Sequence, residues 1–373
     1  MGTNNQHDVN ERLLQIIRKL NNLVIVLFLV IVFLPVVLLN TDRIAAFFNQ
    51  LGSKVEITPY VEREGQLTDL QIEANRIFKS ISSLPELDIP ETKVALGKKL
   101  YFDTRLSKDG NISCNSCHNL NTFGVDNLPT SPGDTKEFGN RNSPTVIYAS
   151  LHAMQFWDGR AKDVEEQAGM PILNPIEHNI PSEAFLVNRL KQIEEYQTMF
   201  KAAFPDEADP ITYKNLTAAI GAFERKLIPV SRFDRYLDGI DLALNDTEKA
   251  GLKLFIDNGC IACHSGIALG GNDLQKFGVY DNYWTHTNSK VIDNGLYDLT
   301  KKEADKYFFK TPSLRNIEKT FPYFHDGSVE RLEDAVRIMH NIQNGKEFDT
   351  DEIRKVVAFL KTLTADVDAV LKE

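Results

Sequence analysis

Apolar positions recur at helical spacing through most of the chain, and the two-residue alternation of strands is scarce. Ile353, Val356, Val357, Leu360 and Leu363 fall on one helical face behind Asp349 and Glu352, a pairing that can cap a helix start. Asn245 with Glu248 opens another helix, and Gly259 suits its end. One pattern occurs twice, as Leu96-Gly97-Lys98-Lys99-Leu100-Tyr101-Phe102-Asp103 and as Ala250-Gly251-Leu252-Lys253-Leu254-Phe255-Ile256-Asp257. Each copy reads as the end of an amphipathic helix leading into a turn, so two copies of one helical domain plan are predicted. Loops 121–143 and 266–294, rich in Gly, Pro and Asn, are expected to close the pockets of these domains. The pattern changes at 23–39, an uninterrupted apolar run with Pro35 inside it, barely long enough to cross a bilayer. Arg12, Arg18 and Lys19 precede it and favour a cytoplasmic N-terminus with the bulk of the chain outside. A cleaved signal peptide is the competing reading; the run is longer than a usual signal core, and no Ala-x-Ala site follows closely. Residues 40–90 mix charges, prolines and short apolar clusters, and read as a tether followed by an arm lying on the first domain.

Composition adds little to this picture except at the cysteines. With 373 residues, 42% hydrophobic and 25% charged, the chain is globular and long enough for two domains. A formal charge of −10 argues against nucleic acid as a general partner and suits a basic redox partner. All 4 cysteines lie in Cys114-Asn115-Ser116-Cys117-His118 and Cys260-Ile261-Ala262-Cys263-His264, each downstream of one copy of the repeat. Two thiols three apart on one helical turn can reach both vinyl groups of a porphyrin, while the next residue presents an imidazole to the iron. Two covalent haems follow from that reading. Zinc is the rival; it would need further ligands for each pair and gives no reason for the His to follow both times. Covalent haem attachment on the outer face of the bacterial inner membrane agrees with the orientation of the apolar run.

The second haem needs a sixth ligand downstream, and Met339 is the only methionine after Cys260, with His340 beside it as a spare candidate. A thioether opposite His264 raises the reduction potential and makes an electron store, although a Met in such a stretch is often simply core. No comparable ligand announces itself for the first haem. Catalysis at iron needs an open position and an acid or base beside it, and the stretch 156–178 supplies Trp157, Gln167, Glu177 and His178. Taken singly, these are ordinary core and surface residues.

The segment Phe156-Trp157-Asp158-Gly159-Arg160-Ala161-Lys162-Asp163, with Glu166-Gln167-Ala168 and Pro171-Ile172-Leu173-Asn174-Pro175-Ile176-Glu177 after it, closely resembles the bacterial di-haem cytochrome c peroxidases. So do Gly139-Asn140-Arg141-Asn142-Ser143-Pro144-Thr145, the run from Ala304 to Asn316, and Pro322-Tyr323-Phe324-His325-Asp326-Gly327-Ser328. The resemblance covers about 84–364, in family order. It implies two cytochrome c-like domains with a calcium ion between them, a peroxide-binding haem held by His118, and an electron-donating haem held by His264 and Met339. It places Glu177 as the distal acid/base, Gln167 as the distal-pocket glutamine, and Trp157 on the electron route between haems. Calcium is implied near the Asn142 side chain and the carbonyls of Thr320 and Pro322, oxygen donors that suit a hard cation. One departure stands out. Many members carry a loop His that ligates the resting first iron, and here Asp134 stands in its place, with His152 and His178 nearby.

The fold class expected is therefore mainly α, two cytochrome c-like haem domains preceded by an N-terminal transmembrane helix. Residues 1–45 form a cytoplasmic tail and anchor, 46–83 a tether or arm, 84–228 the peroxidatic domain and 229–373 the electron-donating domain. The function expected is reduction of hydrogen peroxide on the periplasmic side of the inner membrane, with electrons from a small c-type cytochrome or copper protein. Homodimers are common in the family. The rivals are a di-haem oxidase acting on a partner protein, which would carry Tyr in place of Met339, and a non-enzymatic membrane-tethered di-haem carrier.

Overall fold

Both helix starts read from local chemistry are formed as expected. Asn245 Oδ1 accepts the Glu248 N–H at 3.0 Å while the Glu248 carboxylate accepts the Asn245 N–H at 2.8 Å. Asp349 and Glu352 make the same reciprocal cap. These observations come from a computed structural model that describes residues 67–367. The apolar run 23–39 and the start of the tether lie outside the described residues, and no helix among those described is long and apolar enough to cross a membrane.

The described chain is mainly helical. In order it forms α1 (Asp69–Ile77), α2 (Glu91–Tyr101), the one-turn α3 (Cys114–Cys117), α4 (Val164–Leu173), α5 (Glu183–Lys191), α6 (Glu194–Ala203) and α7 (Tyr213–Glu224). It continues through α8 (Arg232–Leu237), α9 (Asp246–Asp257), α10 (Tyr283–Thr287), α11 (Tyr297–Thr300), α12 (Leu332–Asn344) and α13 (Thr350–Lys361). A two-stranded antiparallel sheet pairs β1 (Leu274–Lys276) with β2 (Phe308–Lys310), Leu274 opposite Lys310.

The sequence repeat is a structural repeat, and its glycines show why. A Cβ on Gly97 would fall inside the Ala219 carbonyl, with the Phe223 side chain beside it; a Cβ on Gly251 would fall inside the Lys355 carbonyl, with Phe359 beside it. So α2 crosses α7 with backbones in contact, and α9 crosses α13 the same way. Around the first crossing, Leu96, Leu100, Ile172, Leu190, Phe200 and Leu216 form one core. Around the second, Phe233, Leu252, Phe255, Val356 and Leu360 form another. The chain tail returns from the second to the first, where Ala365 and Val367 are buried.

One expectation is met only in part. The arm ahead of the first domain reaches that domain at Ile81 and Leu84, which pack in the first core, but its helix α1 packs in the second core through Ala74 and Phe78, the latter edge-on to Phe233 at 5.4 Å. Two side-chain amides fix it there, Gln71 Nε2 donating to the Tyr236 carbonyl at 2.9 Å and Asn75 Nδ2 to the Leu237 carbonyl at 3.0 Å.

Candidate active site

The first cysteine motif is wound by its own flanks. Ser113 is an extended N-cap whose N–H donates to Ser116 Oγ at 3.0 Å, and the resulting turn sets Cys114 and Cys117 on one face. His118 follows with its N–H on the Cys114 carbonyl at 3.0 Å and its own carbonyl held by the Tyr101 hydroxyl at 2.5 Å. Cys114, Cys117 and His118 all line one cavity of about 390 Å³. Burial lowers the His118 pKa, against the Pro144 and Gly124 carbonyls, which favours the neutral imidazole that binds metals.

The second motif follows α9 almost at once. Gly259 turns the chain at φ 77° into Cys260, and the His264 N–H closes the turn on the Cys260 carbonyl at 3.0 Å. His264 Nδ1 donates to the Leu269 carbonyl at 3.1 Å, which fixes the tautomer that leaves Nε2 for a metal. Burial pushes its pKa down to about 4. Phe255, at the repeat position of Tyr101, lies 6.4 Å from the His264 ring. The 4 cysteines are unpaired. Among the described residues no three His, Cys, Asp or Glu side chains are grouped to hold a metal ion, so neither pair has the completing ligands of a zinc site. Two thiols with an adjacent neutral His fit covalent haem at both places.

The remainder of the first cavity is made from the stretch singled out in the sequence. Trp157, Gln167, Glu177 and His178 line the same cavity as the first motif, and part of loop 121–143 closes it, as expected. Glu177 Oε1 accepts from Asn174 Nδ2 at 2.6 Å. Burial raises its pKa, with Arg160 and that hydrogen bond opposing. Gln167 enters from α4, whose start is capped by Asp163 on the Glu166 N–H. His178 Nδ1 sits 3.1 Å from the Leu106 carbonyl, and burial holds this ring neutral, with a pKa of about 4.

Trp157 reaches further than the cavity. Its Nε1 donates to the Asn142 carbonyl at 2.9 Å, and its ring joins a cluster with Tyr283, Phe309 and Ile338. Ile338 also packs in the second core and is the neighbour of Met339 on α12. Met339 is half-buried and does not line the first cavity. The spare candidate beside it is engaged elsewhere: the His340 ring stacks on Phe348 at 3.6 Å, with Nδ1 3.0 Å from the Asn344 amide.

Asp134 does not line the cavity. Its carboxylate accepts the N–H groups of Asp109 at 2.9 Å and Asn111 at 3.3 Å, and its own N–H donates to the Glu177 carbonyl at 2.8 Å. His152 is likewise absent from the cavity wall and sits 3.3 Å from Lys310 Nζ, against Gly271. Asn142, whose side-chain N–H groups donate to the Leu128 and Pro129 carbonyls, lies against the segment that follows Thr320 and Pro322, its N–H donating to the His325 carbonyl at 2.7 Å.

The family description "Di-haem cytochrome c peroxidase" matches residues 91–241, and "Cytochrome c" matches 248–364. Cytochrome c551 peroxidase of Nitrosomonas europaea is 48% identical over 276 residues, 73% of this chain and 79% of that protein. The chain belongs to the di-haem cytochrome c peroxidase family. Cytochrome c551 peroxidase of Pseudomonas aeruginosa is 44% identical over 80% of this chain and 87% of its own. A crystal structure of a MauG-like protein associated with microbial copper homeostasis matches with TM-score 0.67 and 29% identity, over 77% of this chain and 93% of that one. As a di-haem cytochrome c peroxidase the protein is an oxidoreductase with two haem c groups. Sequence reasoning misses one buried acid of the first cavity, Glu224. The signal was available in the repeat, had it been extended from α2 and α9 to the helices they cross.

Proposed function

We propose that the protein reduces hydrogen peroxide to water in the first cavity, with electrons from a small c-type cytochrome or copper protein. The observation that carries this reading is the gathering of Glu177, Gln167 and Trp157 around the first cysteine motif in one cavity. Bound haems supply the iron chemistry and the stored electrons; the residues supply proton handling and position. Glu177 takes a proton from peroxide and returns it to the departing oxygen. A carboxylate whose pKa burial has raised suits both halves of that exchange. Gln167 offers an amide to orient the oxygens, and Trp157 provides an aromatic path from this cavity toward α12.

In the second domain His264 and Met339 are the proposed iron ligands, supported by the engagement of His340 with Phe348 and Asn344. Calcium is proposed at the Asn142 side chain with the Thr320 and Pro322 carbonyls, since Asn142 already abuts that segment. The domain division at 228/229 is supported by the two separate cores. A periplasmic location with residues 23–39 as anchor rests on the apolar run and the basic residues before it. A homodimer rests on kinship alone. The oxidase reading, kept in view by the MauG-like structure, requires Tyr where this chain has Met339.

Steady-state turnover of peroxide with a reduced c-type cytochrome tests the proposal. Glu177→Gln is expected to lower the rate by about 10²–10⁴ with both haems retained. In the native protein the rate rises with pH through the Glu177 titration, above the ordinary glutamate value of about 4.3. Near-normal turnover in the variant, or an unchanged acid limb, removes Glu177 from the mechanism.

A further inference from the structure

The acid and base work given to Glu177 moves one proton within peroxide and returns it. Reduction of peroxide is H2O2 + 2 e⁻ + 2 H⁺ → 2 H2O, so both consumed protons come from elsewhere. The first cavity holds a second acid. Glu224, the last residue of α7, lines that cavity and is 3% exposed, and its Oε2 is buried with no hydrogen-bond partner. The adjacent cation does not serve it, because Arg225 is engaged with Glu165 of α4 through two bonds of 2.8 Å. Burial, then the Glu165 charge, push the Glu224 pKa up to about 8, with Arg225 opposing. The other groups that sense its charge are Tyr101 on α2 and Cys114 on α3, whereas Glu177 acts on Cys117. The two acids thus stand toward different cysteines.

The structural repeat supplies an internal comparison. Aligning Phe223 with Phe359 at the two helix crossings sets Glu224 against Leu360, equally buried at 3%. A fold position that holds an apolar side chain in the second domain holds an uncompensated carboxylic acid in the first. Packing does not call for the acid, because the repeat shows that leucine satisfies this helix crossing. An electron entering this cavity adds negative charge beside this group, and a buried acid with no ion pair of its own responds most readily by binding a proton.

We propose that Glu224 is a proton store coupled to the first haem, taking up one proton when that haem is reduced and releasing it to the cavity when the haem is reoxidised. The two electrons come from the cytochrome or copper-protein donor and the two protons from solvent, one of them by way of Glu224. Its role in turnover rests on the peroxidase reading, but the coupling does not need peroxide to be seen.

The experiment uses the purified di-haem protein without peroxide. The potential of the first haem is followed by spectroelectrochemistry from below to above pH 8, and proton uptake on reduction is read with an indicator dye. In the native protein the redox equilibrium constant shifts up to tenfold per pH unit, about 59 mV, within this window. Glu224→Gln and Glu224→Leu flatten the dependence and abolish the uptake while retaining both haems, the leucine being the side chain that the second repeat already holds there. A slope that persists in both variants overturns the proposal. So does a slope lost in Glu177→Gln and kept in the Glu224 variants, which would assign the proton to Glu177. Failure here leaves peroxide turnover untouched, and failure of turnover leaves this measurement intact.

Discussion

Asp134 has its carboxylate held by the amides of Asp109 and Asn111 while its own amide holds the Glu177 carbonyl. A carboxylate satisfied by backbone donors gains nothing from reaching toward an iron. The first iron is therefore expected to be open in the fully oxidised protein. Cyanide mixed with the diferric form should bind fast at the high-spin haem. Asp134→His should slow binding and make it depend on prior reduction. Two low-spin haems that resist cyanide until reduced would instead point to His178, which lines the cavity. At this scale the sequence was legible only where a motif carries its own chemistry. The two Cys-x-x-Cys-His runs declare themselves; Glu177 is an ordinary carboxylate until its surrounding motif is matched. Glu224 is invisible in isolation, because nothing in a helical Glu between Phe223 and Arg225 says that it will lose both solvent and counter-ion.

Helices were the most readable elements because their starts are written within four residues, as at Asn245 and Asp349. What they pack against was not. The docking of α1 on the second core depends on Phe233, Tyr236 and Leu237, more than a hundred and fifty positions away, and the three-residue strands are too short for any period to show. The paired glycines are the exception, since their recurrence in the repeat marks the two crossings. Gly97→Ala and Gly251→Ala each place a Cβ on a backbone carbonyl that cannot swing aside. Each is expected to destabilise its own domain by about 1–3 kcal/mol, the usual cost of overpacking. Denaturant unfolding followed at each haem's spectrum checks this, and equal loss in both domains from either change would contradict independent crossings.

At the scale of the whole molecule, the segments meet at one buried ion pair. Arg315 grips Asp234 through two bonds of 2.9 Å, donates through Nε to the Ile267 carbonyl, and lies 5.1 Å from the Tyr148 ring. Asp234 also accepts the N–H groups of Ile81 and Ser231. Both side chains of the pair are 0% exposed. Burial alone would raise the Asp234 pKa, but Arg315 and these hydrogen bonds outweigh it and hold the carboxyl below its ordinary value. Its stabilisation is therefore present above the unfolded pKa of about 3.9 and is lost as pH falls through the folded value. Asp234→Ala should cost about 3–5 kcal/mol at neutral pH, because it strands a buried guanidinium. The deficit should shrink as the medium is acidified through that range, and a pH-independent deficit in thermal unfolding would rule out the charge as its cause. A different consequence follows from the returning tail. Ala365 and Val367 complete the first core although the chain is synthesised from the other end, so the domain translated first is finished last. Until the segment carrying Ala365 and Val367 is synthesised, the core around the earlier cysteine motif lacks two of its buried side chains.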